Sequence, residues 1–315
     1  MILNRRSLLA SAGAAGLATT SFAGAPMLGP SRPTYRRVKL GAFEVTTLLD
    51  GAVPVQGPQG IFGQNLSEED VEGLLSANSL DTSTMEFTFS PVLVNTVETL
   101  ILFDTVNGAG ARPARGQLAA QIAEAGYTAD QVDVVVITHM HPDHIGGLME
   151  GDAPAFPNAR YVTGSQEYNF WTSEDRVGTP GERIYTMAQK LVLPLAEKFS
   201  FVNPGDSIVS GIEALEAFGH TPGHMVYHLE REGRRLVLPA ASATHFVLSL
   251  QRPDWEVRFD MDKAAAAATR KKLFGMLAAD QVAFSGYHMP FPAMGYVEAM
   301  SDGFRYVQAA YQFNI

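Results

Sequence analysis

The sequence predicts an α/β fold, with strands and helices alternating in one domain around a shared metal-binding site. Apolar periodicity switches repeatedly between strand and helix spacing along the chain. The apolar run at 134–137 ends directly in Thr138-His139-Met140-His141-Pro142-Asp143-His144, three imidazoles and a carboxylate within seven residues. Two later strand-like segments, ending near 218 and 284, each lead into a turn that carries histidine, His220 and His288. Ligand types spread from 139 to 288 favour one domain whose halves share a site.

The elements follow in order. Residues 38–49 read as two short strands broken at Gly41, and 100–103 as a buried strand. Residues 117–125 have helical spacing and end at Gly126; with the strand at 133–137 they complete a strand–helix–strand unit. A second helix is expected over 183–198. Residues 212–217, 225–230 and 235–238 alternate as half-buried strands. Asp262 can cap a third helix over 263–279, whose alanine run has high helix propensity. Loops are expected at 51–64, 105–116, 151–158 and 171–182, all rich in Gly, Pro or polar residues.

Residues 1–25 resemble a twin-arginine export signal: Arg5-Arg6 precede an Ala/Gly-rich, weakly apolar stretch that ends in Ala23-Gly24-Ala25. The segment is too short and glycine-rich to span a bilayer, so no stable membrane anchor is expected and the address is periplasmic or secreted. The single domain is then 26–315. Removal of residues 1–25 takes away two arginines and no acid, leaving 21 basic against 33 acidic residues and a formal charge of −12. Such a surface repels phosphate backbones, so nucleic acid is not expected as a partner. A small-molecule substrate is expected, and a homodimer stays open. The absence of cysteine excludes disulfides, thiol nucleophiles, thiolate zinc sites and iron–sulfur clusters.

Imidazole and carboxylate suit zinc and related divalent ions, and a strand end followed by a loop can fold such ligands around an ion. Gly146-Gly147 is expected to let the backbone turn tightly beside it. Of the eight histidines, His228 lies in an alternating strand and reads as a packed or surface side chain. His224 reads as structural, since the Pro-Gly turn before it already commits His220. His245 carries no assignment.

His139-x-His141-x-Asp143-His144 with Gly219-His220 and His288 resembles the metal signature of the metallo-β-lactamase superfamily. Leu40-Gly41, Ala125-Gly126-Tyr127, Gly219-His220-Thr221-Pro222-Gly223-His224 and Phe291-Pro292 bring the chain closer to its methyl parathion hydrolase-like branch. The resemblance implies a four-layer αββα sandwich with two metals at the sheet edges. His139, His141 and His220 would hold the first, and Asp143, His144 and His288 the second. It further implies a hydrolase that uses a metal-bound hydroxide on lactone, ester or phosphotriester bonds of small apolar molecules, with Asp143 orienting it or taking its proton. Zinc lowers the pKa of its water to about 7.

Two departures qualify that expectation. The family bridges its metals with an Asp, which a gap-free count from Phe259-Asp260 places at Ala241. One metal would then be held firmly and the second weakly, whether Ala241 is an introduced change or natural to this chain. The alternative function is an exported metal-binding pseudoenzyme with reduced or lost turnover; an iron-dependent oxidative enzyme is a third. Second, Val106-Asn107-Gly108 supplies neither the Gly nor the aromatic wall found after Asp104-Thr105 in that branch, while Trp171 matches an aromatic of its substrate pocket.

Overall fold

The computed structural model describes residues 33–315, with Met27 and Ser31; the expected export segment lies outside the described residues. β1 (Tyr35–Leu40) and β2 (Phe43–Leu48) form a hairpin, turning at Gly41 with φ +56. A Cβ there would meet the Arg231 carbonyl oxygen at 2.5 Å, so both conformation and space require glycine. β3 (Gly51–Gln56) and β4 (Thr84–Phe89) pair as a separate two-stranded sheet, with α1 (Glu68–Ala77) between them in sequence. The expected loop at 51–64 therefore begins as a strand. Gly51 and Pro54 masked its alternation, and the partner that supplies its hydrogen bonds lies some thirty residues on.

β5 (Val92–Asn95), β6 (Leu100–Phe103), α2 (Leu118–Glu124), β7 (Val134–Ile137) and the short α3 (Pro142–Ile145) follow. β8 (Met149–Glu150) and β9 (Ala153–Pro154) make a small hairpin, then β10 (Arg160–Gly164), α4 (Ser165–Thr172), α5 (Glu182–Leu191) and β11 (Phe199–Val202) complete this half. The helix expected over 183–198 stops at Leu191 and continues as a 3-10 turn, Leu193–Lys198. Pro194 lacks the N–H that an α-helix would use there. Trp171 lies in α4, where a loop was expected.

The second half contains β12 (Ser207–Val209), β13 (Ile212–Glu216), β14 (Met225–Arg231), β15 (Arg234–Leu238), α6 (Leu248–Gln251), α7 (Lys263–Asp280), β16 (Ala283–Ser285), β17 (Met294–Ala299) and β18 (Phe304–Gln308). Two seven-stranded sheets result, in the orders β1-β2-β5-β6-β7-β10-β11 and β12-β13-β14-β15-β16-β17-β18. They face each other. Val134 and Val136 of the first sheet share one core with Tyr227, Leu236 and Leu238 of the second. Val135 and Ile137 point the other way, into a core with Leu118 and Ile122 of α2 and Trp171 of α4. On the far side Val237 and Phe284 pack against Phe274 and Leu277 of α7. The layers are therefore αββα, and β7 reads as an unbroken apolar run because both its faces are covered.

Two details stabilise edges that bear on the site. Lys39 N donates to the Phe313 carbonyl and Ile315 N to that of Lys39, both at 2.8 Å, so the C-terminal residues cover the outer edge of β1. Asp262 caps α7 as expected, accepting from Ala265 N at 2.9 Å, while its own N–H donates to the Gly219 carbonyl at 2.9 Å. Replacing Asp262 with alanine removes the cap and is expected to lower stability by about 1 kcal/mol. Urea denaturation checks this, and an unchanged midpoint would show the cap to be idle.

Candidate metal centre

β7 delivers its last residues to one end of the two-sheet seam. His139 and Met140 follow, His141 is the extended N-cap residue of α3, and Pro142 takes the first helical position, where its missing N–H costs nothing. One helical turn then presents Asp143 and His144. Gly146 is helical, with φ −59 and ψ −30, which corrects the expected tight turn. Crowding is the reason for the pair: a Cβ at Gly146 would meet Gly108 N at 2.7 Å, and one at Gly147 would meet the Thr105 carbonyl oxygen at 2.1 Å. His220 arrives from the β13–β14 connection and His288 from the turn after β16.

These residues assemble into two groups. One donor atom each from His139, His141 and His220 lie within 4.8 Å of one another, as do those of Asp143, His144 and His288. The His139 Nε2 and His141 Nδ1 atoms are 3.2 Å apart. Asp143 Oδ2 lies 3.5 Å from His144 Nε2 and 3.6 Å from His288 Nε2. All six residues expected as ligands are thus brought together.

The opposite ring nitrogens are already engaged. His220 Nδ1 meets Asp260 Oδ1 and His144 Nδ1 meets Asp104 Oδ2, both at 2.8 Å, and His288 Nδ1 donates to the Thr88 carbonyl at 2.8 Å. Thr138 gives its hydroxyl proton to Asp104 Oδ2, so it can only accept from His139 Nδ1, at 3.1 Å. The tautomers of His139, His144, His220 and His288 are thereby set, with the other nitrogen facing the site. His144 Nε2 is buried with no hydrogen-bond partner. A neutral donor kept in that condition suits a cation, so the residues present fit a divalent metal.

Burial, and then mutual repulsion, hold His139, His141 and His144 well below the ordinary imidazole range; burial takes His288 down to about 3. Desolvation pushes the Asp143 carboxyl up to about 6 and Asp104 well above its usual value. Burial also raises Asp260, but hydrogen bonds and charge from His220 and Arg270 more than offset it. The Arg270 guanidinium, itself buried, lies 2.8 Å from Asp260 Oδ2.

Other expected residues separate from the centre. His224 is structural, as read: Nδ1 donates to the Ala217 carbonyl at 2.9 Å, leaving Nε2 to accept from Ala241 N at 3.4 Å. Ala241 is buried in the turn Ala240–Ser242, with Ala240 at φ +46. His245 Nδ1 accepts from Val247 and Leu248 N, both at 3.1 Å, and so opens α6; His228 is half-buried on β14. Trp171, expected at the substrate pocket, is instead buried behind His141, its Nε1 held by Glu167 at 2.8 Å. The cleft above the ligands, about 410 Å³, is walled by Phe87, Phe89, Phe259 and Ile184, with Asn107 and Arg183 as polar members. Phe87 and Phe89 of that aromatic wall come from the hairpin strand β4, which sequence patterning did not reveal. Asp104, Glu167 and Asp260 also escaped notice as site residues; only the Phe259-Asp260 resemblance hinted at one of them.

Residues 90–283 match the metallo-beta-lactamase superfamily, and the chain belongs to that family. No curated protein matches it by sequence. Among solved structures it is similar to AidC, a dizinc quorum-quenching lactonase solved with a product, at TM-score 0.83 and 26% identity over 88% of this chain and 98% of that one. It is similar in fold to AbOPH, a hydrolase in the beta lactamase superfamily, at TM-score 0.82 and 24% identity over 90% and 99%. An N-acyl homoserine lactone hydrolase solved with N-hexanoyl-L-homoserine at its catalytic metal centre shares the fold more distantly, at TM-score 0.57 and 17% identity over 82% and 94%.

Seven histidines sit below the unfolded imidazole value of about 6.5: His139, His141, His144, His224, His228, His245 and His288. As pH falls below that value the unfolded chain takes up protons that the folded one refuses, so stability is lost. Asp50, Asp104, Asp143 and Glu167 are shifted up and act in the opposite sense, but they are fewer. Chelator-treated protein is therefore expected to melt at lower temperature as pH drops from about 6.5 to about 5. A flat melting temperature across that range would contradict the neutral-imidazole assignment.

Proposed function

We propose that this protein is a metal-dependent hydrolase of small apolar substrates, with lactones favoured over aryl esters and phosphotriesters. The observation that carries the reading is the convergence of five imidazoles and one carboxylate beneath a phenylalanine-walled cleft. The similarity to AidC, across nearly all of both chains, supports the lactone preference. Within the superfamily we place the chain nearest the methyl parathion hydrolase-like branch, on the segments from Leu40-Gly41 to Phe291-Pro292. We also assign residues 1–25 to export into the periplasm, on Arg5-Arg6 and the small-residue end of that segment.

His139, His141 and His220 would hold the first ion, and Asp143, His144 and His288 the second. A divalent ion such as Zn2+ supplies an activated water and Lewis-acid stabilisation of charge on the substrate oxygen. The chain's own contribution is orientation. Asp260, Asp104, Thr138 and the Thr88 carbonyl keep His220, His144, His139 and His288 in one tautomer and one rotation. Phe87, Phe89 and Phe259 take the apolar part of the substrate and exclude water from the cleft. Asp143 Oδ2 is the carboxylate oxygen placed at the cleft floor to accept a proton.

Purified protein is expected to retain a divalent ion and to open a homoserine lactone carrying a hexanoyl chain faster than it cleaves nitrophenyl acetate. His141→Ala removes one of three ligands at the first site, so metal content and both activities should fall together. Elemental analysis that shows full metal in that variant would sink the ligand assignment.

Ala241 favours a second reading for one of the two ions, namely that it is weakly held and turnover is reduced. Its methyl group offers no ligand atom, and the neighbouring Ser242 Oγ is buried with no partner. Two dications would then face a single ligand carboxylate, Asp143, at the price of strong repulsion. Ala241→Asp is expected to raise occupancy from near one toward two ions per chain and to tighten the second by about tenfold or more. Metal titration of chelator-treated protein decides this; two tightly held ions with Ala241 in place would show that the bridge is dispensable.

A further inference from the structure

The geometry points to Glu167 as a positioning residue that holds the histidine-bearing segments of the first metal site in register, without being a ligand. This rests on the reading that His139, His141 and His220 bind an ion. Glu167 stands in the first turn of α4, fully buried. Its Oε1 accepts from Met140 N and Trp171 Nε1, both at 2.8 Å. Its Oε2 accepts from Thr221 Oγ1 at 2.7 Å and Gly223 N at 3.0 Å. Met140 is the residue between His139 and His141, and Thr221 and Gly223 belong to the turn that presents His220. One carboxylate on a third element thus bridges the two segments that supply all three imidazoles.

All four of its partners are donors, and a carboxylate offers about four acceptor positions. Every position is used, so a neutral or displaced side chain would leave buried N–H groups without an acceptor. The approach is close as well. A Cβ on Gly223 would stand 2.2 Å from Glu167 N and 2.6 Å from its Cα, so glycine lets the His220 turn settle directly on the start of α4. Trp171, four residues on, pins the carboxylate from within the helix. Removing this clamp releases the Met140 peptide and the His220 turn from each other, while every ligand side chain stays in place chemically.

Glu167→Gln preserves volume but turns an amide NH2 toward two donors. In full-length protein stripped with chelator and reloaded, this variant should bind its first Zn2+ about tenfold to hundredfold more weakly, the range for groups that orient metal ligands. The visible absorption band of the Co2+-loaded protein should shift or weaken with it. Leu277→Ala, in the separate core under α7, should lower the melting temperature yet leave Zn2+ affinity and the Co2+ band unchanged. Wild-type affinity and spectrum in Glu167→Gln overturn the proposal, as does an equal change in Leu277→Ala, which would mark general loosening. If Glu167→Gln does not fold, Thr221→Val removes one of the four donors at similar volume. It should move affinity and band in the same direction by less, and no movement overturns the proposal. Wild-type protein that binds neither Zn2+ nor Co2+ would instead remove the metal reading itself, and this inference with it.

Discussion

Crowding of neutral imidazoles is the constraint on which the rest of the site depends. The His139 ring has four others close by: His144 at 3.9 Å, His141 and His220 at 4.8 Å and His224 at 4.9 Å between centroids. In a buried setting such a group cannot carry several positive charges, and burial holds His139, His141, His144 and His224 below the ordinary imidazole range, each with a lone pair kept. The fold achieves this by giving nearly every ring a fixed partner for its other nitrogen. Two of those partners, Asp260 and Asp104, are buried acids, and they and the nearby Glu167 are themselves costly to bury alone. Asp260 is balanced by Arg270, Asp104 by Thr138 and His144, and Glu167 by four donors. The acids explain features that look unrelated to chemistry, including the left-handed Asp104 at φ +64 and the glycine at 223.

The part of this arrangement legible in the sequence was the part encoded locally. Four donors within a few residues of a buried strand end could be recognised from the chain alone, and so could histidines in turns after two other strands. The layered architecture followed from periodicity together with the family resemblance, and the cap at Asp262 from residue type and position. What stayed hidden is tertiary. Asp104 reaches His144 across 40 residues, Asp260 reaches His220 across 40, and Glu167 reaches Thr221 across 54. No spacing rule connects such pairs, because the contact exists only once two sheets and a helix have met. Trp171 illustrates the same limit: its position beside the site was foreseeable, but its direction is set by α4 and by the carboxylate that holds its indole. The hairpin that brings Phe87 and Phe89 over the cleft was obscured by Gly51 and Pro54, residues that weaken strand patterning without preventing pairing.

The two candidate ligand groups share a geometric property. His139, His141, Asp143 and His144 follow β7 in the first sheet, whereas His220 and His288 follow strands of the second, so each group straddles the seam. Whatever cation sits there fastens one sheet to the other at the open end of the sandwich, and its binding energy adds to that of the folded state. The protein's lifetime is then coupled to the supply of metal around it. Where metal is scarce that fastening is lost, and the two sheets are held together at this end by their packing and hydrogen bonds alone.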